Sequence, residues 1–176
     1  MTPEVPSPCS PLPWTGGSVD QWPTQGGEAG AQTSGLVQAV QAGEGTIGYA
    51  DESQAAGLGI ANVAVGSPFV APSAAGAANV LESSKVTSGR GQYDFAYDIN
   101  RTPTSADQYP IVLVSYHIGC IAPKDKTAAD LMKAFFGYVI SPAGQEAAAK
   151  AAGSAPITDA VRKQSQTAVD AISAGA

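Results

Sequence analysis

Tyr109-Pro-Ile-Val-Leu-Val-Ser-Tyr-His-Ile-Gly-Cys120 is the longest nearly unbroken run of β-branched, aliphatic and aromatic residues in the chain. A run of this kind, bounded by turn residues, reads as a strand covered on both faces, and such a strand needs neighbours. The sequence before it is Gly-rich and strand-like in short pieces. The sequence after it is Ala-rich and helical, so the run divides the chain in two.

Upstream, prolines at 3, 6, 8, 11 and 13 forbid helix or central strand and predict an extended, disordered Pro-rich arm over residues 1–13. Order is expected to begin near Trp14 and Trp22. Gly26, Gly27 and Gly30 then lead into Leu36, Val37, Ala39 and Val40 at helical spacing, with Thr33 or Ser34 as N-cap. A Gly-rich loop feeding a helix N-terminus can hold an anion, and it can equally be a loop that needs positive φ. Both readings stay open, and Thr33 and Ser34 are the ligand-binding candidates. The loop lacks Gly-Lys-Ser/Thr and no clear hydrophobic strand precedes it, so it is neither a Walker loop nor a dinucleotide fingerprint.

Gly43 closes the helix, and Gly45-Thr-Ile-Gly-Tyr-Ala50 reads as a short strand. Asp51, Glu52 and Ser53 can cap a brief helix of about one turn, Leu58 to Val65 reads as a strand, and Pro72 to Ser84 as an Ala-rich helix begun at Ser73 or Pro72. Tyr93, Phe95, Tyr97 and Ile99 alternate with polar or small residues, as in a half-exposed strand flanked by Arg90 and Arg101. Beyond Cys120, Thr127 and Asp130 form a capping box for a helix whose apolar face is Leu131, Ala134, Phe135 and Tyr138. Ser141-Pro142 starts the next helix, Gly153 stops it, and Thr158 caps a last one carrying Val161, Ala168, Val169 and Ile172.

Composition bounds what such a chain can do. At 176 residues it is one domain or two small ones; 20 glycines, 13 prolines and only 7% aromatics make large core side chains scarce. A net charge of −6 with nine scattered Lys and Arg argues against nucleic acid and anionic membrane as partners. An anion held by backbone N–H groups remains compatible with that charge. No apolar run approaches the ~20 residues needed to cross a bilayer. The N-terminus has neither the basic segment nor the apolar stretch of an export signal.

The residues of hydrolytic and metal chemistry are sparse. Cys9 and Cys120 have no metal-ligand spacing; they either pair or leave Cys120 as a buried apolar thiol. His117 is the single histidine and lies inside the apolar run, where a buried or half-buried structural role is expected. There is no Gly-x-Ser-x-Gly elbow, no zinc cluster, and no calcium spacing among Asp94, Asp98, Asp107, Asp125 and Asp130. Neither an enzyme nor a cofactor is expected.

The order of motifs is informative where each alone is not. Gln-Trp-Pro, the Gly-rich loop with Ser-Gly-Leu-Val-Gln-Ala-Val, Gly-Thr-Ile-Gly-Tyr-Ala, Tyr-Pro-Ile-Val-Leu-Val-Ser-Tyr, Lys-Ala-Phe-Phe-Gly-Tyr-Val-Ile-Ser-Pro-Ala-Gly-Gln and Ala-Pro-Ile-Thr-Asp follow one another. From about Trp14 to Ile172 this resembles the later part of PstS-like proteins, the phosphate-binding components of phosphate ABC transporters. The resemblance implies an α/β fold, a partial periplasmic-binding-protein type II fold. Residues 14–108 would form the later part of its second lobe, and 109–176 the return of strand and helices into the first. It implies inorganic phosphate as ligand, an ABC transporter permease as partner and an extracytoplasmic location. The family's Ser-Gly-Thr turn does not occur, so the resemblance points to a truncated form without the main phosphate contacts, and to self-association through uncovered apolar faces. The alternative is a non-catalytic surface or interaction module that keeps part of the fold without anion binding.

Overall fold

A computed structural model describes residues 27–55 and 57–175; the Pro-rich arm, Trp14, Trp22 and Cys9 lie outside the described residues. In chain order the elements are α1 (Gln32–Ala42), a 3₁₀ turn (Glu52–Gln54), β1 (Val63–Ala64), β2 (Phe69–Val70), α2 (Ala74–Glu82), β3 (Lys85–Val86), β4 (Tyr97–Asp98), α3 (Lys126–Ile140), α4 (Pro142–Ala152) and α5 (Asp159–Ala171). The strands form two separate antiparallel pairs: β1 with β2, Val63 opposite Val70, and β3 with β4, Lys85 opposite Asp98 and Val86 opposite Tyr97.

Helix boundaries follow local chemistry. Ser73, Ser141 and Thr158 accept hydrogen bonds from the N–H groups of Gly76, Gly144 and Val161, as their cap positions require. Pro142 sits in the first turn of α4, and Gly153 ends that helix at φ 66°, the left-handed conformation a glycine adopts without strain. Asp51 caps the 3₁₀ turn through Ser53 N at 2.9 Å.

Two caps differ from expectation. The side chain that caps α3 is Asp125, which accepts from Thr127 N at 2.9 Å, so Thr127 lies inside the first turn and the Thr127–Asp130 box does not form. Asp130 instead pairs with Lys126 at 2.6 Å. At α1 the N-cap is Ala31, with no side-chain hydrogen bond, and Gln32 adopts φ 59°. The helix therefore begins before Thr33 and Ser34, and neither residue is its cap. The entering loop folds onto the first turn so closely that a Cβ on Gly30 would run into the backbone of Gly35 and Leu36.

The expected strands are mostly unpaired. Gly45–Ala50 forms no ladder and leaves Ile47 and Tyr49 exposed, although Gly48 lies directly against Val40 of α1. Of Leu58–Val65 only Val63–Ala64 pairs, and of Tyr93–Ile99 only Tyr97–Asp98. Residues 109–120, expected as a strand covered on both faces, belong to no ladder and are largely exposed, with Leu113 at 89% and Ile118 at 94%. His117 and Cys120 are accordingly exposed, not buried. The physical reason is the absence of paired strands beside the segment among the described residues.

The buried core is aliphatic and small: Val37, Val65, Val80, Leu81, Ala129, Val161, Val169 and Ile172. α3 packs on α4 and α5. It buries Ala129 and half-buries Met132, Phe136, Val139 and Ile140, whereas the expected face, Leu131, Ala134, Phe135 and Tyr138, points to solvent. At 100° per residue these two sets lie on opposite sides of the helix. α3 is thus apolar on both sides and covered on one.

Gly144 shows how tightly α3 meets α4. It is buried, and a Cβ there would collide with the carbonyl oxygen of Tyr138, a backbone atom that cannot swing away. Gly144→Ala is expected to cost about 3 kcal/mol by overpacking and to lower the thermal midpoint by roughly 6–12 °C. Gly59→Ala, which meets nothing within 4 Å, should stay within about 0.5 kcal/mol of the parent in the same calorimetric scan.

Candidate functional site

A small set of hydrogen-bonded polar side chains lies where α2 runs into the β3–β4 pair. Ser83 and Ser84, just past the end of α2, turn their hydroxyls back onto Val80 O at 3.0 and 2.6 Å, which closes the helix. Ser84 Oγ also accepts from Asn100 N at 3.0 Å, and Asn100 Oδ1 accepts from Thr102 N at 3.1 Å. This chain of bonds holds residues 100–102 beside the end of α2.

Two open grooves flank the strand pair. One, of 420 Å³, is lined by Ser83, Ser84, Lys85 and Asp98 through Thr102. The other, of 440 Å³, is lined by Lys85 to Ser88 with Tyr97 and Asp98. Both contain Lys85 and Asp98, the cross-strand partners. Among the described residues the ion pairs are Arg90–Asp94, Lys126–Asp130, Lys150–Glu146 and Arg162–Asp159, so neither Lys85 nor Arg101 is spent on a carboxylate. The first groove thus offers an ammonium group, a guanidinium and several hydroxyls, with one carboxylate at its edge. Such a set can hold a small polar ligand by charge and hydrogen bonding.

Arg101 has a second task. Its Nη1 donates to Pro110 O at 2.7 Å and Val112 O at 2.9 Å, gripping the start of the unpaired 109–120 segment. Further along, Tyr116 Oη accepts from Tyr97 N at 2.9 Å, and Tyr97 Oη donates to Gln164 Oε1 at 2.8 Å. The groove, the apolar segment and α5 are thereby joined through Arg101 and Tyr97. Arg90, the other candidate cation, pairs with Asp94 at 2.8 Å; that hydrogen bond holds the Asp94 carboxyl below and the Arg90 guanidinium above their ordinary values.

Thr33 and Ser34 stand elsewhere. They are exposed in the first turn of α1, next to an N-terminus without a side-chain cap, and line neither groove. His117 lies edge-on to Phe135 and Phe136, with ring centroids 5.9 and 6.3 Å apart, far in kind from a charged relay. Among the described residues, no group of three His, Cys, Asp or Glu side chains gathers at metal-binding range. Lys85, Ser83 and Thr102 were not singled out by sequence reasoning, because the groove is assembled by pairing Lys85 with a residue thirteen positions on; no short spacing carries that signal.

Five helices and two short antiparallel strand pairs, one of them flanked by open polar grooves, make this an α/β chain. Residues 13–143 match the family model of a PBP superfamily domain, and the chain belongs to that periplasmic-binding-protein-like family, as a partial α/β form of its fold. Comparisons with curated proteins and with solved structures return no match.

Burial, with Tyr116 beside it, pushes the Tyr97 phenol above its ordinary 10.0. A folded-state value raised above the unfolded one means stability that is complete below the ordinary tyrosine range and falls as pH climbs through the folded value. Tyr97→Phe removes both the ionisation and the bond to Gln164. Denaturant melts should show the parent losing stability above about pH 10, and the variant, weaker at neutral pH, losing less over the same rise.

Proposed function

We propose that this chain is a PstS-like substrate-binding protein that serves an ABC transporter permease outside the cytoplasm, with inorganic phosphate as its ligand and no catalytic step. The observation that carries the reading is the family match over residues 13–143, through which the PstS-like order of motifs runs and continues to Ile172. In this reading residues 14–108 belong to one lobe and 109–176 return to the other.

The chemistry of the exposed groups supports a weak form of that binding. Phosphate is held by N–H groups and hydroxyls at helix N-termini and by cations that neutralise its charge. Thr33 and Ser34 offer the first kind of contact at α1; Lys85, with Arg101 beside it, offers the second at the β3–β4 groove. Each position is open to water, so neither reaches the affinity of an enclosed anion site. The sequence has no Ser-Gly-Thr turn to add the family's principal contacts.

Titration of the protein with inorganic phosphate, followed by backbone NMR shifts, tests the proposal. Binding in the millimolar range, about −4 kcal/mol, and preference over sulfate are expected. Thr33→Ala with Ser34→Ala, and separately Lys85→Glu, will show which position carries the response. A micromolar affinity would overturn the weak, incomplete site, and no shift at tens of millimolar, on the order of ten times that constant, would overturn phosphate as ligand.

A further inference from the structure

The described residues leave one surface that the proposed binding role does not use. Residues 110–120 take part in no backbone-to-backbone hydrogen bond among the described residues; Pro110 O and Val112 O accept from Arg101, and the other N–H and C=O groups of the row have no partner there. Ile111, Leu113, Tyr116 and Ile118 are exposed along it. The surface continues onto α3, since His117 meets Phe135 and Phe136 edge-on and Gly119 lies so close that a Cβ would strike the Phe136 ring. Beyond them the uncovered side of α3 adds Leu131 and Tyr138.

We propose that this surface is the contact between two copies of the chain, paired through antiparallel alignment of residues 111–118 about a two-fold axis. An isologous contact needs a patch complementary to itself. A strand edge with alternating donors and acceptors is complementary to its own antiparallel copy, and eight residues span roughly 27 Å of ladder.

Charge selects the same patch. The chain carries −6 overall, so two copies repel across most faces, yet no charged residue lies between Tyr109 and Cys120. On α3, Lys126 and Asp130 pair with each other at 2.6 Å. A neutral, β-branched edge without an interior proline is also the sequence type that pairs with itself. The pairing covers the side of α3 that α4 and α5 leave open, as a helix that is apolar all round requires.

Sedimentation equilibrium of the full chain from about 1 to about 200 µM tests this, because mass action makes the dimer fraction depend on concentration. A two-fold species that dissociates on dilution is expected, with the amides of 111–118 protected from exchange at the high end. Leu113→Lys and Ile118→Lys, both at exposed positions, should keep the circular dichroism of the parent, sediment as monomer and lose that protection. A parent that stays monomeric throughout, or lysine variants that associate as the parent does, would overturn the proposal. So would a monomer that dimerises only once residues 1–26 are removed, since the chain's own N-terminal segment would then be the occupant.

Discussion

The constraint that shapes this molecule is an apolar segment with no sheet to enter among the described residues. Residues 109–120 have the composition of an interior strand, and the described residues meet that need with side chains. Arg101 holds two of its carbonyls, Tyr116 Oη takes the N–H of Tyr97, and Phe136 lies under Gly119. Each tether satisfies one or two polar groups, whereas a paired strand satisfies one per residue. The segment is thus fixed in place while most of its hydrogen-bonding capacity and apolar area face water.

The helical part after it is built differently. α3, α4 and α5 carry a side-chain cap each, and their junctions are bonded in detail. Gln145 joins Val139 O to Ile157 N at 2.8 Å on both sides, Arg162 reaches Ile140 O at 2.9 Å, and the chain end pairs with residues 121 and 123 through Ser173 N and Gly175 N. The Ser-Pro-Ala-Gly-Gln element thereby has a structural explanation residue by residue. Ser141 caps, Pro142 starts the turn, Gly144 admits the Tyr138 carbonyl and Gln145 clamps the linker before α5. These bonds make the C-terminal helices a scaffold onto which the uncovered segment is tied.

What was legible in the sequence follows from how far each signal reaches. Caps act within three or four residues, so Ser73, Ser141, Gly153 and Thr158 could be read directly. Thr127 reads as the cap of α3 in the sequence, but Asp125 two residues earlier can also accept from a first-turn N–H, and backbone geometry gives it the role. Thr33 and Ser34 looked like caps because the left-handed Gln32, which starts α1 early, leaves no mark in composition. Composition predicts strands at Gly45–Ala50 and 109–120, and neither forms one; pairing depends on a second segment far along the chain, and β-branched residues say nothing about whether that segment is there. The groove at Lys85 was invisible for the same reason, since it exists only through the β3–β4 register.

The two themes meet in the strength that a binding site here can reach. At 4 Å two unit charges attract by about 1 kcal/mol in water and by about 4 kcal/mol near a protein surface with reduced polarity. Lys85 and Arg101 face an open groove with Asp98 at its edge, so their attraction for an anion stays at the low end of that range. Walling the groove off from water would strengthen the same contacts without adding a residue. Arg101 grips both the groove and the start of the apolar segment. Under the proposed binding role, a partner that covered the segment would therefore act on the guanidinium that an anion would meet, and coverage and affinity would be coupled through a single side chain.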